Sequence, residues 1–409
     1  MTETTLVNNP YAGVDWGNIE QKRDQIHVHT KQSNTNKDLH DTPNETVDQY
    51  ADAGVEVFSM SEGGNVDNAW PWGDWETIYD GVSGVENRYP LGHQDQTTDE
   101  SKKIDVLGFA GAEQTYDDAE HIMSLFCELI EADHQETERD AVIQAIVDDN
   151  GIAGIAHPAR YGNPWDWPRW ISNFEKFDKT ELFGFAAYNK NAYVGNISDV
   201  ATWDRLNLYF CPDRPIWGYA EDDVNSINGA KFDTRFNWVL LDESDFQAGD
   251  RDAARDAYEN GRFFFSNRVS KDSTVPQFDS LTVDEENTTI TVSATDANSI
   301  VWICNGRVEG TGSTFDYSDL LGPFIRILLV AEEGVTSSQP ITFSRSSDGL
   351  LRQSESGDVD LVGEVEEDND HIRMYGYGDM EVNEIDETGD QTRMTADGTL
   401  HVGGEYTEA

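Results

Sequence analysis

The chain has 409 residues and carries 79 Asp and Glu against 28 Lys and Arg, a formal net charge of -51. This balance excludes nucleic-acid binding through a general basic surface, because phosphate contacts need Lys and Arg. It also excludes ordinary attraction to anionic lipid. Hydrophobic content of 37% and aromatic content of 11% suffice for packed cores, which separates the chain from disordered acidic segments.

The predicted elements begin with DQIHVHT, a strand by its alternation. Thr46 to Gly54 reads as a helix, entered past Pro43 and stopped at glycine. VEVFSMS is the next strand, and residues 63–103 form an insertion rich in Gly, Trp and Asp. Then come the strands IDVLGFAGAE and HIMSLFC, a helix near 137–149, the strands GIAGIAH and LFGFAAY, a helix near 199–207, and RPIWGYAEDD. A helix near 249–259 ends at Gly261 before RFFFSNR. Strand–helix alternation of this length predicts an α/β barrel or layered sheet over residues 1–273.

Residues 274–345 change character. FDSLTV, TTITVSA, SIVWICNG, FIRILLVA and QPITFS are short β-branched runs between turn signals, which predicts a small Ig-like β-sandwich. Residues 346–409 form an acidic tail. Its last 59 residues, 351–409, hold 17 acids, three Arg and no Lys. Apolar alternation with ADG and GG turns there predicts an ordered β segment that draws its core from a partner chain.

Acid is spread along the whole chain, and Lys is rarer than Arg. Such self-repulsion weakens a compact fold in dilute buffer and is screened at molar salt. The composition therefore reads as halophilic, from an archaeon of near-saturated salt or from one of its viruses. Cys127, Cys211 and Cys304 are far apart and form no CxxC pair, so neither a disulfide scaffold nor a zinc ribbon is expected. MTETTLVNNPY reads without a secretory signal. No apolar stretch is long enough for a membrane span.

His27 and His29 stand two apart on a predicted strand, so both imidazoles share a face at its C-terminal end. Barrel sites are built at such ends, and neutral imidazole is the commonest metal ligand. Glu113, His121, His157, Asp222 and Asp223 also fall at strand ends. Each has a plainer alternative, a solvated acid or a capped core histidine.

Taken together, HVHT, GAE, the following His, AHP and the final DD resemble the PHP (polymerase and histidinol phosphatase) family over most of residues 20–268. The resemblance implies a distorted (β/α)7 barrel that hydrolyses phosphate esters with divalent zinc, manganese or iron. By motif match, His27, His29, Glu113 and Asp223 would hold one metal and form the catalytic set. Glu113, His121 and His157 would hold a second, with Glu113 bridging. The chain departs from the family at a third position. Ser61-Glu62-Gly63 stands where the family has TDH, and Asp223-Val224-Asn225 where it has D-x-H. Both missing histidines serve one metal, so two metals are expected rather than three. His40, Glu62, Asp222 and Asn225 are the remaining candidates around that position. Lys31 and Arg160 are candidates for holding a phosphate, or plain surface charges.

The expected function is thus a halophilic, two-metal phosphoesterase. It would act on a phosphorylated small molecule or cell-surface polymer, in the cytoplasm of a halophile. The alternative is a structural or host-binding virion protein, a tail fibre or spike reusing a PHP fold. It would assemble as a homotrimer or onto a virion partner through residues 346–409.

Overall fold

Two periods organise the chain: apolar runs where a strand is covered on both faces, and 3.6-residue stripes on the helices between them. The computed structural model describes residues 4–30, 41–63, 78, 90–91, 103–116, 120–129, 139–158, 167–189, 193–194, 197–224, 226–229, 231–304, 306–318, 320, 322–345 and the short strands of 350–402. The protein is mixed α/β with a strong β content. Among the described residues no helix is long and apolar enough to cross a membrane.

In chain order the first part supplies β1 (Ile19–Gln25), α1 (Pro43–Asp52), β2 (Val57–Phe58), β3 (Glu62–Gly63), β4 (Leu107–Gly108), β5 (Gly111–Tyr116) and β6 (Glu120–Leu125). It continues with α2 (Arg139–Asp148), β7 (Ile152–Ala156), α3 (Trp167–Lys176), β8 (Leu182–Asn189), α4 (Asp199–Phe210) and β9 (Trp217–Glu221). Then follow β10 (Arg235–Asp242), α5 (Glu243–Ala248), α6 (Arg251–Glu259) and β11 (Phe263–Arg268). Local chemistry sets the helix starts. Pro43 opens α1, where the Glu45 carboxylate accepts from the Thr42 amide at 3.0 Å. The Asp250 side chain accepts from the amides of Asp252 and Ala253 at the head of α6.

Strand pairing runs in a closed cycle. β1 pairs parallel with β2, and β2 with β4. The path of β2 continues beside β1, with the Ser61 amide donating to the Val28 carbonyl, and β3 then pairs parallel with β5. β6 is antiparallel to both β5 and β7. β7, β8 and β9 are parallel. The cycle returns to its start where Val28, just past β1, bridges Val224, just past β9. There the Asp223 amide donates to the His27 carbonyl and the His29 amide to the Val224 carbonyl, both at 3.0 Å.

The other edge of β1 pairs antiparallel with β10, then β10 with β11, and β11 with Gly334–Ser337. One sheet therefore runs continuously past residue 273. Residues 6–343 form one compact unit. Within it, Gln277–Asp284, Thr289–Thr295 and Thr314–Asp316 form an antiparallel sheet. Ser299–Cys304, Phe324–Val330 and Gly334–Ser337 belong to the long one. Phe278, Leu281, Ile290, Trp302, Phe324 and Leu329 share one buried core between them. Arg326 on that sheet forms a buried two-pronged pair with Asp204 of α4, at 2.7 and 2.8 Å.

A second unit comprises residues 1–5 and 344–409. Leu350–Gln353 pairs antiparallel with Val359–Val362. His371–Met374 pairs parallel with Gln391–Met394, and Met380–Val382 with Leu400–Val402. Both parallel registers are offset by twenty residues, His371 to Gln391 and Met380 to Leu400. The sequence repeats with them: Arg352, Arg373 and Arg393 recur, as do Gly357, Gly378 and Gly398.

One core acid makes a testable contribution to stability. Asp24 of β1 is fully buried and accepts from Tyr258 Oη and from Asn237 Nδ2. Burial pushes its carboxyl up to about 7. The folded value lies above the unfolded one, so this group's contribution is complete below roughly pH 3.9 and is lost as pH rises through 7. Asp24→Asn keeps both hydrogen bonds and removes the titration. At pH 8 it should be more stable than the parent by on the order of 4 kcal/mol. Melting temperatures from pH 5 to 8 check this: parallel slopes in parent and variant would show that Asp24 does not titrate there.

Candidate functional site

His27 and His29 lie on the extended segment that follows β1. Alternation places both imidazoles on one face, while Ile26 and Val28 enter separate apolar cores on the other. Glu113 comes from the middle of β5. Gly111 permits its close approach, since a Cβ there would collide with Ser59 Oγ and stand 3.1 Å from the Ser124 carbonyl oxygen. His121 lies on β6, in register with Thr115 and Ala156. His157 follows β7 directly, and Asp223 follows β9. These last two have positive φ, 23° and 46°. Such left-handed backbone costs on the order of 1–3 kcal/mol and persists where surrounding contacts impose it, commonly at functional sites.

The six residues meet. Glu113 Oε2 stands 3.1 Å from His29 Nε2, and Oε1 stands 3.2 Å from His27 Nε2 and 2.8 Å from His157 Nε2. His121 Nδ1 also contacts Oε1. Asp223 Oδ1 closes the other side, 3.4 Å from His29 Nε2 and 3.8 Å from His27 Nε2. Two triads have ligand atoms all within 4.8 Å of one another: His27, Glu113, His157, and His27, His29, Asp223. The cluster is buried but not sealed, with side-chain exposures of 7% at His29 and 11% at His121.

Its electrostatics call for positive charge. Burial alone would lower the basicity of His27, but the carboxylates of Glu221 and Glu113 drive it well above the ordinary range. Burial likewise opposes the proton on His29, yet Glu113 and Asp223 hold it at about 9. Burial would raise Glu113, while His121, His27 and His29 hold it well below the usual carboxylate range. The donor set fits a divalent cation on one further point. His27 Nδ1 is held by Glu221 at 2.7 Å. In the neutral ring that leaves a lone pair on Nε2, which makes no hydrogen bond and faces the Glu113 carboxylate. Two facing acceptors need a proton or a cation between them.

The remaining expected residues divide. In register, Gly63 lies opposite Glu113 and Glu62 opposite Ala112. Asp222 turns away from the cluster. It accepts from the Thr234 and Arg235 amides, both at 2.9 Å, and from Tyr50 Oη at 3.0 Å, so it shapes the loop into β10. Lys31, His40, Arg160 and Asn225 lie outside the described residues. Glu221 was missed by the sequence reading, as was Asn189, which donates to it at 2.9 Å. Alternation along Glu221-Asp222-Asp223 was the available signal, since it puts Glu221, not Asp222, on the face of Asp223. A scan against family models finds no match for this chain, and no curated protein matches it either.

Proposed function

We propose that this chain is a metal-dependent hydrolase of phosphate esters, a PHP-type (β/α)7 barrel with two divalent ions. The observation that carries the reading is Glu113, whose two oxygens divide four imidazoles between them, with Asp223 closing on His27 and His29. The closed cycle of strand pairings, with β6 alone reversed, supports the barrel. His27, His29, Glu113 and Asp223 would hold one ion, and Glu113, His121 and His157 the other. Histidine with carboxylate suits zinc, manganese or iron. Two such ions would supply Lewis acidity and lower the pKa of a water poised for attack on phosphorus. The chain's own residues fix the ligand atoms. Gly63 and Asn225 offer no imidazole, so a third ion is not part of the reading. The substrate class is a phosphorylated small molecule or a phosphorylated surface polymer of a halophile's environment. The test is metal content after purification in molar salt without chelator, followed by hydrolysis of a chromogenic phosphate monoester. We expect about two equivalents and metal-dependent turnover. A folded protein without metal would sink the proposal.

A second reading, a virion component that assembles through its tail, rests on the twenty-residue parallel registers. Two-stranded sheets are marginal by themselves. Identical tails pairing around a common axis would supply the missing neighbours. The mass in molar salt should then be trimeric, and monomeric once residues 346–409 are removed. A monomeric full-length chain would refute it.

A further inference from the structure

We infer that Glu221 is the positioning residue of the metal centre, holding both His27 and His157 in the orientation that ligation needs. This rests on the two-metal reading above. Glu221 belongs to neither ligand triad. It is fully buried at the end of β9. Its Oε2 stands 2.7 Å from His27 Nδ1, on the far side of that ring from Glu113. Its Oε1 accepts from the His157 amide at 2.7 Å and from Asn189 Nδ2 at 2.9 Å.

Two consequences follow. A carboxylate accepts and never donates when ionised, so a His27 ring that holds a single proton carries it on Nδ1 and presents the Nε2 lone pair toward Glu113 and Asp223. The same carboxylate pins the His157 amide, where φ is 23°. That strained backbone turns the His157 ring so that Nε2 reaches Glu113 Oε1 at 2.8 Å. One side chain thus orients a ligand on each side of Glu113. It also joins four consecutive strand ends of the cycle: β7 through His157, β8 through Asn189, its own β9, and the segment after β1 through His27. Among the described residues this seam has only one backbone bridge, Val28 to Val224.

Glu221→Gln separates positioning from mere structural support. Its amide oxygen satisfies the His157 amide and Asn189, which directs its NH2 at His27 Nδ1. The imidazole must then keep its lone pair on Nδ1 and carry hydrogen on Nε2, where a metal needs the lone pair. Packing is nearly unchanged, since the two side chains are isosteric.

The experiment is zinc titration of wild type and Glu221→Gln in molar salt, with melting temperatures of both in chelator. We expect wild type to take two equivalents. The variant should bind at least one of them about 10- to 100-fold more weakly, with its chelated melting temperature retained. Equal zinc affinities would overturn the positioning role and leave the two-metal reading standing. A wild type that takes no zinc would overturn both. If the variant fails to fold, nitrogen-15 spectra of zinc-loaded wild type decide alone. A His27 ring bound through Nε2, with a slowly exchanging Nδ1 proton, supports the role. Binding through Nδ1 refutes it.

Discussion

Replacing Glu113 by alanine should empty both metal positions at once, whereas Asp223→Asn should disturb only one. The asymmetry follows from where the oxygens point. Glu113 Oε1 faces His27, His121 and His157, and Oε2 faces His29. Asp223 approaches only His27 and His29. If two ions bind as proposed, deleting Glu113 would remove a ligand from each of them and the negative charge they share. Losing an outer partner of a metal ligand typically costs 10–100-fold in affinity. Loss of a bridging ligand should exceed ~100-fold for each ion. Metal per chain after purification in molar salt gives the readout. The fold control is the melting temperature in chelator, where wild type and variant both lack metal. Two equivalents retained in Glu113→Ala would mean that the ions, if present, sit elsewhere.

Much of this centre was legible because it follows period-two logic. His27 and His29 share a face by alternation, and Glu113 follows a glycine that lets β5 pack closely on Ser59 and Ser124. The strand ends carrying His157 and Asp223 were readable from apolar runs that stop. What escaped has a physical reason. The partner of His27 is 194 residues away in sequence, and no periodicity announces a hydrogen bond across a seam. Only the family motif set Asp223 apart from its neighbour Asp222, which ties down the amides of Thr234 and Arg235. Helix α3 was not foreseen, because its Trp167-Pro168 start hides the apolar stripe Trp170, Ile171, Phe174 that it buries. The sheet that runs from β11 into Gly334–Ser337 pairs residues about seventy apart, and composition changes between them. Apolar alternation and recurring ADG and GG turns marked the tail as β, but neither discloses that its strands pair parallel.

Raising salt should stabilise this protein more than any single substitution. The net charge is -51. Some of the few bases are withdrawn from the surface. Lys22, Arg23, Arg139 and Arg326 are buried. Asp233 is shared by Arg23 and Arg268, and Arg326 is committed to Asp204. Lys22 reaches Glu56 and Glu243 at 3.1 and 2.8 Å. Interior pairing therefore takes part of the scarce positive charge away from an acidic surface. At about 0.1 M salt the Debye length is about 10 Å, and neighbouring surface acids repel across it; at 1 M it is about 3 Å and they do not. Moving from 0.1 to 2 M KCl should raise the melting temperature by on the order of 10 °C. Sucrose strengthens burial without screening charge, so it should not substitute for the salt. A melting temperature that ignores KCl, or one that sucrose raises equally, would sink the halophilic reading. It would then leave the acidic surface to be explained by a cationic partner.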